Sequence, residues 1–233
     1  MSLEKRKRTD KVEASEKETK TWNIFAILTK LGLFFIALAF VGVSLTFYPV
    51  VFKELNYYFL KPYKKDIVIA SRSGFKTTLS GKDVMVAADD EFSILVPKID
   101  ANSKIIPDVD PYDSKVYQVA LTKGVAHAKG TVYPGEIGNS FYFAHSSDNF
   151  YNANRYNSVF YLLNKLENGD SFFLVYKGNI FEYKVTEKKI APPESINYLK
   201  AETKEKTATL MTCWPAGTTI SRLVIVGKMV EKQ

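Results

Sequence analysis

The sequence predicts a mainly β protein: a small closed barrel of about eight strands with one or two short helices, preceded by a single transmembrane helix. Three observations predict it. From Glu91 onward, short apolar runs alternate with turn residues at the spacing of strands joined by tight loops. Aromatic residues make up 14% of the 233-residue chain, with 16 Phe and 14 Tyr, enough to fill a β-rich core. Near the N-terminus, Leu31 to Val51 carries no charge, and as a helix it is long enough to cross a hydrocarbon layer of roughly 30 Å.

The N-terminal third follows from charge. Residues 1–30 mix both signs, lack an apolar period and read as a disordered basic tail. Eight Lys or Arg lie in them, a large part of the excess behind a net charge of +7. A basic cluster beside an apolar span sets membrane topology, which argues against a nucleic-acid partner. Residues 31–52 form the anchor, closed by Lys30 and Lys53, with Trp22, Tyr48, Tyr57 and Tyr58 where interfacial aromatics belong. No small-residue cleavage site follows the span, so it stays uncleaved. The N-terminus is then cytoplasmic and everything after about residue 53 is outside. Residues 53–90 read as a stalk and domain entry, interrupted by the short apolar run Ile67-Val68-Ile69-Ala70.

Residues 91–233 form the barrel domain. Phe92 to Val96 is a strand ended by Pro97, and Lys104 to Ile106 is another, ended by Pro107 and an acidic loop. Val116 to Leu121 reads as a third strand, and Asn139 to Ala144 as an aromatic strand ending at His145. Tyr156 to Leu166 spaces Val159, Leu162, Leu163 and Leu166 as a short amphipathic helix, stopped by Asn168-Gly169-Asp170. Strands follow at Phe172–Tyr176, Ile180–Ile190, Thr207–Thr212 and Leu223–Val230, the first two joined through the Lys177-Gly178-Asn179 turn.

Chemistry concentrates near the C-terminus. Cys213 is the sole cysteine, which excludes an internal disulfide. It ends one apolar run, and Arg222 starts the next beyond a Pro/Gly loop, so thiol and guanidinium face each other across a short connection. A thiol nucleophile needs a base or cation to populate its thiolate, and acyl chemistry needs a donor for the developing oxyanion. Only two histidines are available: His145 at a strand end before Ser146-Ser147-Asp148, and His127 between turn signals. Taken singly, a lone Cys or His is usually a packed structural residue. One Cys, one strand-end His and one strand-start Arg in the same extracellular domain point to a reactive site.

The stretch TLMTC, with Arg222 nine residues after the cysteine, and the block GVAHAKGTVYPGEIGNSFYFAHSS resemble the signatures of sortases, the membrane-anchored cysteine transpeptidases of bacterial surfaces. The resemblance spans about Phe92 to Val230 and leaves the subclass open. It implies a sortase-like barrel with Cys213 as nucleophile, His145 as acid/base and Arg222 as the oxyanion and substrate-backbone donor. Thr212 and Trp214 flank the nucleophile and support the site. His127 matches a recurrent non-catalytic histidine and is kept as a supporting residue. The implied substrates are secreted proteins carrying a C-terminal sorting motif, LPxTG-like by analogy. They pass through a thioester acyl-enzyme to an amine of a cell-wall peptide or pilin. No cofactor is expected; Asp108, Asp110 and Asp113 are calcium candidates, although their spacing fits no strict calcium loop. Three features depart from the commoner pattern. They are the Phe-Ala-His-Ser-Ser histidine motif, the short Trp214–Ser221 loop, and Asp148 to Ser158, an Asn/Tyr/Phe-rich stretch that would border the site. The alternatives are a membrane-tethered β-domain that binds a surface protein without catalysis, and another peptidoglycan-directed cysteine hydrolase. Papain-like enzymes place Cys before His, and the L,D-transpeptidase pattern sets His immediately beside Cys, so neither order fits.

Overall fold

The computed structural model describes residues 27–46, 48, 51–52, 54–55, 57–59, 66–68 (backbone), 84–146, 158–194 and 203–231. The charged tail up to residue 26, most of the 53–90 connector and the 148–157 part of the Asp148–Ser158 stretch lie outside them. The chain divides into two compact units, residues 1–49 and 50–233.

The first unit holds helix α1, Ile27–Thr46, 20 residues of mean hydropathy 2.1. The helix takes in Ile27 to Lys30 and the uncharged run as far as Thr46, because backbone hydrogen bonding carries on as long as propensity allows, whatever the hydropathy. Length and composition fit a membrane-spanning helix.

The second unit is built on a closed eight-stranded barrel. Its strands are β3 (Phe92–Val96), β4 (Ala101–Val109), β5 (Val125–Ala128), β6 (Gly138–Phe143), β7 (Ser171–Tyr176), β8 (Asn179–Ala191), β9 (Lys206–Trp214) and β10 (Ser221–Met229). They close in the order β10-β8-β7-β3-β4-β5-β6-β9, with β9 returning to β10. Closure leaves no free sheet edge. A separate parallel pair joins β1 (Asp66–Val68) to β2 (Val84–Val86). Two of the contacts around the barrel are parallel, β4 with β5 and β6 with β9; the rest are antiparallel.

The barrel interior follows the period of two. Ile94 and Val96, Ile105, Tyr142, Phe172 and Leu174, Tyr183 and Val185, Ala208 and Leu210, and Leu223 and Ile225 are all buried in one cluster. At the bulge between Val226 and Gly227, the aromatic pair Phe172–Tyr183 stacks with centroids 5.4 Å apart. A Cβ on Gly227 would come within 2.5 Å of the Phe172 ring, so only glycine fits there.

Three expectations are corrected. Val116–Leu121 is not a strand but part of helix α2, Ser114–Leu121. Asp113 caps it by accepting from the Lys115 and Val116 amides, and Tyr117, Ala120 and Leu121 turn inward at helical spacing, which β-branched residues at 116 and 119 had masked. Within Tyr156–Leu166, the described residues hold only a 3-10 turn at Leu163–Lys165. Phe160, Leu163 and Leu166 are all buried, and fitting them into one core outweighs the helical period. The Lys104–Ile106 strand is longer, because Pro107 sits in β4 where no ladder donor is required of it. Strand β5 was hidden between turn signals, its four residues all buried. In the connector, the apolar run at 67–68 falls in β1.

Candidate active site

The site begins with the pairing of β9 and β10. Arg222 lies directly opposite Cys213. Opposed residues of an antiparallel pair project to one face with Cβ atoms about 4.5–5.5 Å apart. Thr212 and Leu223, the preceding pair, are buried on the opposite, inward face. Cys213 and Arg222 therefore stand on the outer face, and both are half-buried.

The parallel pairing of β6 with β9 brings in the histidine. The register runs Phe141 with Thr209, Tyr142 with Leu210 and Phe143 with Met211. It persists past the end of β6: the Ala144 amide donates to Met211 O at 3.2 Å, and Thr212 Oγ1 donates to Ala144 O at 2.8 Å. Two residues past Phe143 this chain, still alongside β9, reaches half-buried His145. Three chains thus run in a row, β9 with Cys213 lying between β10 with Arg222 on one side and the chain that leads from β6 into His145 on the other. Behind that row the outer face is apolar, with Phe143, Met211 and Val224.

Buried polar contacts hold this register. Asn139 Oδ1 accepts from Thr207 Oγ1 at 3.1 Å and Thr209 Oγ1 at 2.9 Å, tying the start of β6 to β9. Thr212 ties the other end. A slip by one residue would break these contacts and leave the groups unpaired. Sequence reading missed Asn139, Thr207 and Thr209; the signal was a Thr-x-Thr pair in a strand that also holds the cysteine. It also missed Tyr117 of α2, whose ring packs edge-on against Phe143 at 6.2 Å.

Arg222 Nη1 donates to Thr219 O and Ser221 O, both at 3.2 Å, so the β9–β10 loop grips the guanidinium. Trp214 faces Ser221 at the loop mouth and packs against the barrel core.

His127 belongs to a different place. It pairs with Tyr142 on the interior face and is fully buried, ringed by Phe92, Tyr133 and Tyr142. Its Nε2 lies 3.1 Å from Val132 O, which can only accept, so Nε2 carries the proton. Thr131 Oγ1 is 3.0 Å from the same nitrogen. Burial drives its pKa below the ordinary 6.5, against the opposing pull of Val132 O and Asp108. It supports the barrel interior and is not part of the His145–Cys213–Arg222 row.

The three acids each serve the local fold. Asp108 accepts from the Tyr133 hydroxyl at 2.7 Å, Asp110 from the Tyr112 amide at 2.9 Å, and Asp113 caps α2. Burial and the Asp108 carboxylate push the Tyr133 hydroxyl up to about 12. Among the described residues, no group of three His, Cys, Asp or Glu side chains converges as a metal cage.

The comparisons with known proteins bear on the family and the fold. The Sortase domain family matches residues 94–230, more than half of the chain. This chain belongs to the sortase family. It is 28% identical over 138 residues to sortase D of Bacillus subtilis (strain 168), covering 58% of this chain and 61% of that protein's length. Sortase C-1 of Actinomyces oris superposes with a TM-score of 0.52 at 27% identity, over 62% of this chain and 77% of that one. A Clostridium perfringens sortase D5 transpeptidase superposes at 0.50 and 26% identity, over 61% and 80%. Family membership agrees with the closed barrel, and helix α1 is consistent with a membrane anchor in sortases.

Proposed function

We propose that this sortase is a membrane-anchored cysteine transpeptidase that cleaves a C-terminal sorting motif of the LPxTG kind and transfers the protein to an amine on the cell wall or a pilin. The observation that carries the reading is the strand order β6-β9-β10, which sets Cys213 directly opposite Arg222 and on the strand next to the chain that leads into His145. In the reaction, the Cys213 thiolate attacks the carbonyl of the motif's threonine and a C–S bond forms. Charge gathers on the carbonyl oxygen, where Arg222 donates hydrogen bonds. The C–N bond to the next residue then breaks as His145 protonates the departing amine, leaving a thioester. An incoming amine attacks that thioester, gives its proton to His145, and releases Cys213 as the new amide forms. One relative was solved with its C-terminal cell wall sorting motif, sortase C of Clostridium perfringens, at 30% identity and a TM-score of 0.50. Helix α1, with basic residues before it, holds the N-terminus in the cytoplasm and the barrel outside.

A peptide-library cleavage screen with the full chain in detergent, resolved by mass spectrometry, tests the reading. Cleavage within one shared motif is expected, with loss of all acyl transfer in Cys213→Ala. A Cys213→Ala variant that cleaved at the wild-type rate would overturn the assignment.

A further inference from the structure

The β9–β10 loop does more than reverse the chain. It is six residues long, from Pro215 to Ile220, between Trp214 and Ser221, which pair across the sheet. Gly217 turns through the left-handed region at φ 81. The next residue, Thr218, closes the turn twice: its amide donates to Pro215 O at 3.0 Å and its hydroxyl to the same oxygen at 2.8 Å. This closed turn presents the following carbonyl, Thr219 O, to Arg222 Nη1 at 3.2 Å, with Ser221 O at the same distance.

A guanidinium has five N–H donors in a fixed plane. Two acceptors on Nη1 fix the orientation of that plane, while Nε and Nη2 can turn to a substrate oxygen. Arg222 starts a strand, and its long side chain has many rotamers, so without the loop its position beside Cys213 would be one of several. We propose that Thr218 is a positioning residue: its hydroxyl holds the β9–β10 loop in the shape that fixes the Arg222 guanidinium beside Cys213. The catalytic consequence rests on the proposed role of Arg222. If that role holds, ordering the guanidinium before substrate arrives lowers the barrier of the chemical step and leaves ground-state binding unchanged.

Two readouts separate the inference from the function it rests on. In the full chain labelled with ¹⁵N-arginine in detergent micelles, the Arg222 side-chain signals are assigned by their loss in Arg222→Lys. Wild type and Thr218→Ser are expected to show dispersed, slowly exchanging Arg222 Nε–H and Nη–H signals, and Thr218→Val to show a collapsed, fast-exchanging set. Unchanged Arg222 signals in Thr218→Val, with the protein folded, would overturn the inference. On peptides cleaved by the wild type, Thr218→Val is expected to lower kcat about three- to ten-fold with KM unchanged, as one side-chain hydrogen bond allows. Thr218→Ser is expected to restore it, and in an Arg222→Lys background the substitution should have no further effect. An equal loss in that background would mean that Thr218 acts other than through Arg222. Altered Arg222 signals with an unchanged kcat would leave the loop contact standing and remove Arg222 from the catalytic step.

Discussion

Replacing Thr212 with valine removes one hydroxyl at the point where the cysteine and histidine chains are joined. Thr212 is 3% exposed, and its Oγ1 donates to Ala144 O at 2.8 Å, one residue before His145. Valine keeps the shape and adds an apolar methyl, so packing is preserved and only the hydrogen bond is tested. A hydrogen bond of this kind contributes roughly 0.5–1.5 kcal/mol net, and a buried carbonyl left without its donor costs about 1–3 kcal/mol. The methyl recovers part of that, giving an expected loss of about 2 kcal/mol. For a folded unit spanning residues 50–233, at about 2–4 °C per kcal/mol, Tm should fall by roughly 4–8 °C. Loosening this tie also frees the strand end that carries His145. The kcat for peptide cleavage should therefore fall further than stability accounts for at a temperature where both proteins are folded. Thermal unfolding followed by circular dichroism, and cleavage kinetics at 25 °C, measure the two effects. A variant with wild-type Tm and wild-type kcat would refute the claim that this contact holds the site's register.

Two other outcomes follow from the same coordinates. Because burial lowers the His127 pKa below 6.5, the unfolded chain takes up a proton there that the folded chain resists. That contribution to stability is intact above about pH 6.5 and declines as pH falls from there through the folded-state pKa. His127→Gln should flatten this part of a Tm-against-pH curve, and an unchanged curve would show that His127 does not govern it. In the unit 50–233, Lys165 Nζ meets Glu54 at 3.1 Å, donates to the Tyr58 hydroxyl at 3.3 Å and lies over the Tyr57 and Tyr58 rings at 5.2 and 4.9 Å. Burial works against its charge, but Glu54 and Tyr58 outweigh that and raise its pKa. Lys165→Met should lower Tm by about 2–4 °C, with the gap narrowing at high salt, since a cation over aromatic rings and a partly screened ion pair contribute about 1 kcal/mol together. Equal Tm values would mean that the residues just after the apolar helix are a passive tether.

The sequence alone determined what depends on local pattern. Uncharged length marked the apolar helix, and apolar runs bounded by turn residues marked the strands β7 to β10 to within two residues at each end. The motif around Cys213 and Arg222 was legible too, since a six-residue loop between two strands leaves little choice of pairing. Elements whose form is decided by distant partners were misread. Val116 to Leu121 has strand-like residues, yet Asp113 caps a helix there, and Tyr117 finds its partner in Phe143, far along the chain. Residues 158–166 carry a helical period, but Phe160, Leu163 and Leu166 had to fill one core. In the sequence, His145 ends a strand and His127 lies between turn signals, but neither pattern assigns a face. The closed sheet adds their surroundings, placing His127 on the interior face among aromatic rings and His145 past the end of β6, alongside the strand that holds Cys213. The placement of His145 rests on the parallel pairing of β6 with β9, a contact between segments nearly seventy residues apart. A face is a property of the sheet, not of the strand, so no local pattern could have assigned it.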